Sequence, residues 1–320
     1  MLALLSTLFT VNVIALPGAP PIGIDYVAYD AAHHRLWVPA GGTGKVDVVD
    51  TVIRSVTAID KFVTKPSATA GRPAMGPSSV TFSDTSAWIG NRGDDSLCSF
   101  DRATLAKGAC VTLPVMPDGV QFVRATNEVW VTAPREHSLL IVDVRSKPRI
   151  TRTLKLEGEP EGYAVDEKRG VFYTNLEDKD RTVAIDITTK QVQATWPSGC
   201  GGAGPRGLAL DATNNHLLVA CTDGVIAIDL EHAHKEVGRI ATGKGVDNID
   251  FLAEKKRLYV ASREDASLTI VDVNDLGALS IVTKATTSKG ARNAVADEAG
   301  TAYVPDSLKG QVLVVPVVKK

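Results

Sequence analysis

The chain has 320 residues, of which 44% are hydrophobic and 22% are charged, and it contains 27 glycines and 16 prolines. This balance excludes a disordered or fibrous protein and is typical of a turn-rich globular one. The formal net charge of −2 and the pI of about 6.3 argue against a nucleic-acid partner, because binding to phosphates needs a concentrated basic surface. The densest basic run, Lys255-Lys256-Arg257, is interpreted as a solvated turn between strands.

The first twenty residues, MLALLSTLFTVNVIALPGAP, are apolar and allow two interpretations. A secretory signal would have this apolar run and a small residue near Ala19, but the positive n-region is missing and Thr7, Thr10 and Asn12 interrupt the run. The segment is also too short and too polar for a membrane span. It is therefore expected to form a strand. The protein is cytoplasmic under that interpretation, and periplasmic or secreted if a signal was removed upstream.

A short aromatic or apolar triplet recurs seven times along the chain. The copies are LWV at 36–38, AWI at 87–89, VWV at 129–131, VFY at 171–173, LLV at 217–219, LYV at 258–260 and AYV at 302–304. Their central residues are separated by 51, 42, 42, 46, 41 and 44 positions. This period is the length of a four-stranded propeller blade.

Each copy has the same internal order of predicted strands. An apolar strand precedes the triplet, a polar loop and a third strand such as KVDVVD or SLLIVD follow it, and a weaker fourth strand comes last. An aspartate ends the third strand of the first six copies and is expected to cap the turn into the fourth. These residues are Asp50, Asp101, Asp143, Asp186, Asp229 and Asp272.

The last copy offers only three strands, and an open terminal blade would leave unpaired strand edges. The N-terminal run at about 5–16 can supply the missing strand. The sequence therefore predicts an all-β, seven-bladed β-propeller, with four antiparallel strands per blade, in which residues 1–320 form one domain closed by this strand.

Triplets such as LYVAS and AYVPD, each followed by a VID-like third strand, resemble those of the YVTN/YncE-like β-propeller family. The resemblance covers essentially the whole chain and implies the propeller fold. It does not imply one activity, because relatives and neighbouring propellers include binding proteins, surface proteins, lactonases and lyases.

The inner strands begin at one mouth of the central channel, and their first positions carry most of the charge predicted there. These positions hold Asp25, Ser78, Asp118, Glu161, Arg206, Asp247 and Arg292. So many charges in a confined space must form ion pairs, bind an ion or have shifted pKa values. A salt-bridged plug and a ligand site are both consistent with this pattern.

As a ligand site, the ring could use Asp25, Asp118, Arg206, Asp247 and Arg292, whose arginines suit a carboxylate or phosphate. Alternatively, the acids with the asparagines that follow them form an oxygen donor set for Ca²⁺ or Mg²⁺. That set is Glu161, Asp247, Asn248 and Asn293.

The loops between second and third strands are expected to surround the same mouth and to add further charged residues. His137 lies in one of them and is the best general-base candidate, with Glu161 as its catalytic partner, although a solvated loop histidine is the alternative. The longest connection, residues 61–77, should cross this face as a lid or as a tolerated insertion.

The four cysteines can be paired by position. Cys98 and Cys110 lie on adjacent strands of one hairpin, while Cys200 and Cys221 both approach the same face. Two disulfides would indicate an oxidising compartment, and four reduced cysteines fit the sequence equally well.

Three functions follow from these features. The first is binding of a small anionic ligand or a divalent cation at the channel mouth. The second is a hydrolase or lyase of the lactonase kind, in which Glu161, Asp247 and asparagines hold a divalent metal as the electrophile and a carboxylate or His137 acts as the base. The third is a protein-interaction scaffold that uses the rim loops.

Overall fold

The computed structural model describes residues 11–316, which form seven four-stranded antiparallel sheets. Blade one contains β2 (Ala28–Asp30), β3 (Arg35–Ala40), β4 (Lys45–Asp50) and β5 (Val56–Ile59). Blade two contains β6 (Pro77–Phe82), β7 (Ser86–Asn91), β8 (Ser96–Asp101) and β9 (Lys107–Thr112). Blade three contains β10 (Val120–Val123), β11 (Glu128–Ala133), β12 (Ser138–Asp143) and β13 (Arg149–Lys155).

The second half of the chain repeats this order. Blade four contains β14 (Pro160–Asp166), β15 (Val171–Leu176), β16 (Arg181–Asp186) and β17 (Val192–Pro197). Blade five contains β18 (Pro205–Asp211), β19 (His216–Cys221), β20 (Gly224–Asp229) and β21 (Lys235–Ala241). Blade six contains β22 (Val246–Leu252), β23 (Arg257–Ser262), β24 (Ser267–Val273) and β25 (Leu279–Thr286). The predicted seven-bladed propeller is confirmed.

Blade seven joins the two ends of the described chain. It contains β26 (Val295–Ala296), β27 (Ala302–Asp306), β28 (Gln311–Val315) and, as its outer strand, β1 (Asn12–Ala15). β1 runs antiparallel to β28, with Asn12 opposite Val314 and Ala15 opposite Gln311. The predicted closing strand is therefore confirmed at Asn12–Ala15, and its expected beginning at 5–10 lies outside the described residues.

The hydrophobic core lies between neighbouring blades rather than within any one of them. Trp130 of blade three stacks on Phe172 of blade four with ring centroids 4.6 Å apart, and both side chains are fully buried. Ile14 of β1 packs in the cluster that contains Leu36 and Tyr303, so the closing strand also joins blade seven to blade one. Each fully buried side chain of this size contributes about 1.5–3 kcal/mol.

Five of the six aspartates predicted at the ends of the third strands cap the turns that follow. The Oδ1 atom of Asp50 accepts hydrogen bonds from the backbone N–H groups of Val52 and Ile53, each at 2.9 Å. Asp101, Asp143, Asp186 and Asp229 accept equivalent backbone bonds. This local chemistry sets the geometry of the turn into the outer strand of these five blades.

Both cysteine pairs form disulfides. Cys98 and Cys110 are directly opposite each other on β8 and β9, and Cys200 joins Cys221 across a sequence separation of 21. The first disulfide ties the outer strand of blade two to its neighbour, and the second ties the loop before blade five to β19. Among residues 11–316 no helix is long and apolar enough to cross a membrane.

Candidate functional site

A cavity of about 680 Å³ opens at the mouth where the inner strands begin. We call it the upper cavity. Its wall includes loops between second and third strands, represented by Arg92, Pro134, Glu177 and Arg263. The long connection at 61–77 also crosses this face, as predicted, and contributes Arg72 and neighbouring residues to the wall.

The base of the upper cavity is a network of ion pairs centred on Asp25. Its carboxylate accepts a hydrogen bond from Arg92 Nη2 at 2.6 Å and another from Arg292 Nη2 at 3.1 Å. Arg92 also pairs with Asp118. Burial raises the pKa of Asp25, but Arg292 and Arg92 outweigh it, and the pKa lies below its usual value. Asp25 is therefore a charged anchor that holds two guanidinium groups at the cavity base.

Glu161 differs from its neighbours because it pairs with no arginine or lysine of the described chain. Its closest polar contact is Tyr26, whose hydroxyl lies 3.4 Å from Glu161 Oε1 and 3.2 Å from Asp118 Oδ2. Burial, followed by the like charges of Asp118 and Asp247, raises the pKa of Glu161 well above its ordinary value. Burial also raises the pKa of Asp118, although Arg92 opposes this. The raised pKa favours the neutral, protonated form of Glu161.

Two tyrosines close the base from below. The rings of Tyr26 and Tyr163 stack with centroids 5.5 Å apart. Gly119 makes room for them, because a Cβ atom there would lie 2.3 Å from Tyr163 Cε1. Close packing across the channel therefore explains why the residue after Asp118 is a glycine.

The remaining predicted ligand residues lie in the same ring but are engaged in different ways. Asp247 pairs with Arg292, whose Nε atom is 3.3 Å from Asp247 Oδ2, and burial raises the pKa of this aspartate. Arg206 pairs with Glu177, a residue of the cavity wall. The predicted charge ring is therefore largely salt-bridged, and it forms the base of an open cavity.

The two asparagines of the predicted metal set link neighbouring inner strands. Asn293 Nδ2 donates to the backbone oxygen of Asp25 at 2.6 Å, and Asn293 Oδ1 accepts from the backbone N–H of Asn248 at 3.1 Å. Within residues 11–316, no group of three or more histidine, cysteine, aspartate or glutamate side chains is arranged to hold a metal ion.

His137 lies on the rim, next to the 3₁₀ turn Pro134–Glu136. Its Nε2 atom is 3.9 Å from Glu159 Oε1, and 44% of its side chain is exposed. Glu159 and Glu161 both belong to the cavity wall, whereas His137 stands behind Glu159. Its role as a general base stays a prediction.

Four cations of the cavity wall stand apart from the ion pairs at the base. They are Arg72, Arg135, Arg263 and Lys289, and all four are exposed residues. None of them forms an ion pair with a carboxylate of residues 11–316. With Arg92 and Arg292 beneath them, they give the upper cavity six cationic side chains.

Sequence reasoning found the first ring position of each blade but missed much of the cavity wall. It predicted further charged residues on the loops around the mouth but did not assign Arg92 to the site, although this residue bridges two of the ring acids. It also missed Tyr163, Glu159, Arg72 and Lys289. An arginine in the NRGDDS loop, next to a ring with excess acid, was the available signal for Arg92.

Comparisons with known proteins support the fold alone. No family model and no curated protein matches the chain. A structure of the mitotic checkpoint complex is 13% identical with a TM-score of 0.78, covering 100% of this chain and 96% of that one. Hydrazine synthase from Kuenenia stuttgartiensis is 13% identical with a TM-score of 0.77, and both chains are covered completely. Virginiamycin B lyase from Staphylococcus aureus is 10% identical with a TM-score of 0.75, covering 97% of this chain and 100% of that one.

Proposed function

We propose that this β-propeller binds a small organic anion, a carboxylate or a phosphate, in the upper cavity. The observation that carries the proposal is the set of four rim cations without carboxylate partners above the two paired arginines at the base. Guanidinium groups bind carboxylates and phosphates in bidentate fashion, and a confined cluster of them favours an anion over a neutral ligand.

Two acids of the base, Asp25 and Glu161, oppose this attraction only weakly. Asp25 is held between Arg92 and Arg292, so its charge is already compensated. The raised pKa of Glu161, caused first by burial, favours its neutral form, which can donate a hydrogen bond to a ligand oxygen. An anion entering the cavity therefore meets exposed cations at the rim and, at the base, a carboxyl group whose raised pKa favours its neutral form.

The alternative ligand, Ca²⁺ or Mg²⁺ held by Glu161, Asp247, Asn248 and Asn293, has less support. Asp247 is paired with Arg292, and both polar atoms of the Asn293 amide are engaged between strands. A divalent cation would have to displace these contacts and would also face the guanidinium groups of the base.

The test is calorimetric titration of the full chain with a panel of mono-, di- and tricarboxylates and phosphomonoesters. Substituting three of the four rim cations in the triple variant Arg135→Gln, Arg263→Gln, Lys289→Gln should weaken binding of the best anion by roughly tenfold or more. Binding should also weaken as salt is added, because exposed charges are screened.

The matched control is Lys107→Gln, which removes an exposed cation from the outer strand β9, away from the cavity. This variant should bind the same anion as tightly as the unmodified protein. If no anion of the panel binds, or if the triple variant binds as tightly as the control, the proposal is wrong.

A second candidate function is acid catalysis on the bound anion, as in a hydrolase or lyase of the lactonase kind. The contact between Tyr26 and Glu161, together with the raised pKa of that carboxyl, supports Glu161 as a proton donor. Screening lactones and phosphoesters would test it. Glu161→Gln should abolish turnover and retain ligand binding, whereas His137→Asn should lower turnover only if His137 acts as the base. Unchanged turnover in Glu161→Gln would exclude this role.

The repeat itself supports a closer relationship. We infer from LYVAS, AYVPD and the VID-like third strands that the chain is a YVTN/YncE-like propeller and that residues 1–320 form one domain. A single cooperative unfolding transition, observed by both fluorescence and circular dichroism, would be expected of one domain. Two separate transitions would contradict this inference.

A further inference from the structure

A second cavity of about 330 Å³ lies in the channel on the other side of the tyrosine pair. We call it the lower cavity. Tyr26 and Tyr163 belong to its wall, whereas Asp25 and Glu161, one and two positions earlier in the chain, belong to the wall of the upper cavity. The stacked rings therefore divide the channel into two compartments with separate chemistry.

The lower cavity has the opposite electrostatic character. Its wall contains no lysine, arginine or histidine of residues 11–316, and its single ionisable acid is Asp250 of β22. Burial raises the pKa of this carboxyl to about 6, so it is ionised above that pH. No cation of the described chain forms an ion pair with it. The lower cavity thus presents one uncompensated negative charge at neutral pH.

A purely structural role does not require a carboxylate at this position. Asp250 Oδ2 accepts a hydrogen bond from the backbone N–H of Ala296 in blade seven at 2.8 Å. In blade two the same link to the next inner strand is made by a hydroxyl, because Thr81 Oγ1 accepts from the backbone N–H of Phe122 at 3.0 Å. A neutral side chain therefore suffices for the link, and the charge of Asp250 is left for another purpose.

Aromatic rings supply the rest of the recognition chemistry. Tyr26, Tyr29, Phe82 and Tyr163 all contribute to the wall of the lower cavity. Aromatic rings attract cations through their quadrupole, and groups of them with a nearby carboxylate recognise ammonium ions in water. Aliphatic side chains such as Leu208 and Val80 fill the spaces between them and suit alkyl groups on nitrogen.

We propose that the lower cavity is a binding site for an organic ammonium ion, with Asp250 as the counter-ion and the aromatic side chains as the enclosing wall. Its volume lies at the small end of ligand pockets, which span about 300–1,000 Å³, and therefore fits a compact amine. The site is independent of anion binding in the upper cavity.

The test compares choline with 3,3-dimethylbutan-1-ol, which has the same shape without the charge, by calorimetric and NMR titration of the full chain. Choline should bind and shift the signals of residues in the lower cavity. The uncharged alcohol should bind at least about tenfold more weakly, because it gains neither the ion pair nor the cation–π contact.

Asp250→Asn is the decisive variant, since it removes the charge and keeps an oxygen that can accept from Ala296. It should lose choline binding by roughly tenfold or more while its unfolding midpoint in urea stays at or above that of the unmodified protein. Tyr29→Leu, at a partly exposed position, should weaken choline binding severalfold. The rim variant Arg135→Gln, Arg263→Gln, Lys289→Gln is the matched control and should bind choline normally.

Three results would overturn the proposal. The first is that choline fails to bind at about 10 mM, a concentration at which even a millimolar dissociation constant would be detected. The second is that the uncharged alcohol binds as well as choline, which would make the site a simple apolar cavity. The third is that Asp250→Asn binds choline as tightly as the unmodified protein.

Discussion

Replacing Arg92 with glutamine tests whether the ion pairs at the base of the upper cavity stabilise the propeller. Arg92 pairs with both Asp25 and Asp118, and the exposed fractions of these three side chains are only 21%, 14% and 15%. Removing one partner from a largely buried pair leaves the others desolvated and unpaired. That loss lowers the free energy of unfolding by about 3–5 kcal/mol, and we expect a value near the lower end because the site retains some solvent.

The stability lost in Arg92→Gln should depend on pH, and the direction follows from the pKa values of the two aspartates. In the unmodified protein the pKa of Asp25 lies below its usual value, so the stability that its ion pairs contribute is complete above about pH 4 and is lost as the pH falls through that lowered value. The pKa of Asp118 is raised, and without Arg92 the pKa values of both aspartates should increase. The difference in stability between variant and unmodified protein should therefore shrink as the acids take up protons.

The measurement is urea unfolding at pH 7 and pH 3, with Arg124→Gln as the control. Arg124 pairs with Asp84 at the surface, where 62% and 76% of the two side chains are exposed, and its loss should lower stability by less than about 1 kcal/mol at either pH. A loss in Arg92→Gln that is equal at pH 7 and pH 3, or one no larger than that of the control, would refute the reasoning.

Three further perturbations test other parts of the structure. Gly119→Ala would place a Cβ atom 2.3 Å from Tyr163 Cε1, so it should displace the tyrosine pair and destabilise the fold by about 1–3 kcal/mol. Urea unfolding measures the loss of stability, and near-UV circular dichroism reports the displaced rings. An unchanged near-UV spectrum would contradict this packing. Replacing both Cys98 and Cys110 with serine opens a short loop and should lower the free energy of unfolding by roughly 3 kcal/mol. Adding reductant to this variant should then cause only the loss that comes from breaking the second disulfide. Asp47 is fully buried, neither carboxyl oxygen accepts a hydrogen bond from the described chain, and burial raises its pKa to about 6 although the charge of Lys45 opposes this. Because the equivalent positions of blades three, four and five hold leucine, valine and isoleucine, Asp47→Val should stabilise the protein by about 1–3 kcal/mol at pH 7 and by less at pH 5, where Asp47 is protonated; lower stability at pH 7 would show that the charge has an unrecognised partner.

The repeat determines the fold locally, which is why it could be predicted from the sequence. Each blade is built from strands that follow one another along the chain, and an aspartate such as Asp50 bonds to backbone groups two and three residues away. The closing strand could also be predicted, because a three-stranded last blade leaves an edge that only an unused strand can cover. The cysteine pairs followed from the same positions, although the sequence left their oxidation state open.

The sequence also indicated which positions would meet at the channel mouth, since equivalent positions of a repeat converge on the propeller axis. It did not indicate how their charges would pair. Arg92 reaches Asp25 across 67 positions, and Arg292 reaches the same carboxylate across 267. Such pairings depend on side-chain length and direction in three dimensions, which have no periodic signature.

Only the tertiary structure separated the channel into two cavities of opposite charge. Tyr26 precedes the inner strand of blade one and Tyr163 lies on that of blade four, and nothing in either local sequence predicts that their rings stack. Asp250 likewise looks like one more acidic residue of an inner strand until its surroundings show that no cation accompanies it. The sequence determined the frame because strand and turn preferences are local, whereas the sites depend on contacts between distant blades that form only when the ring closes.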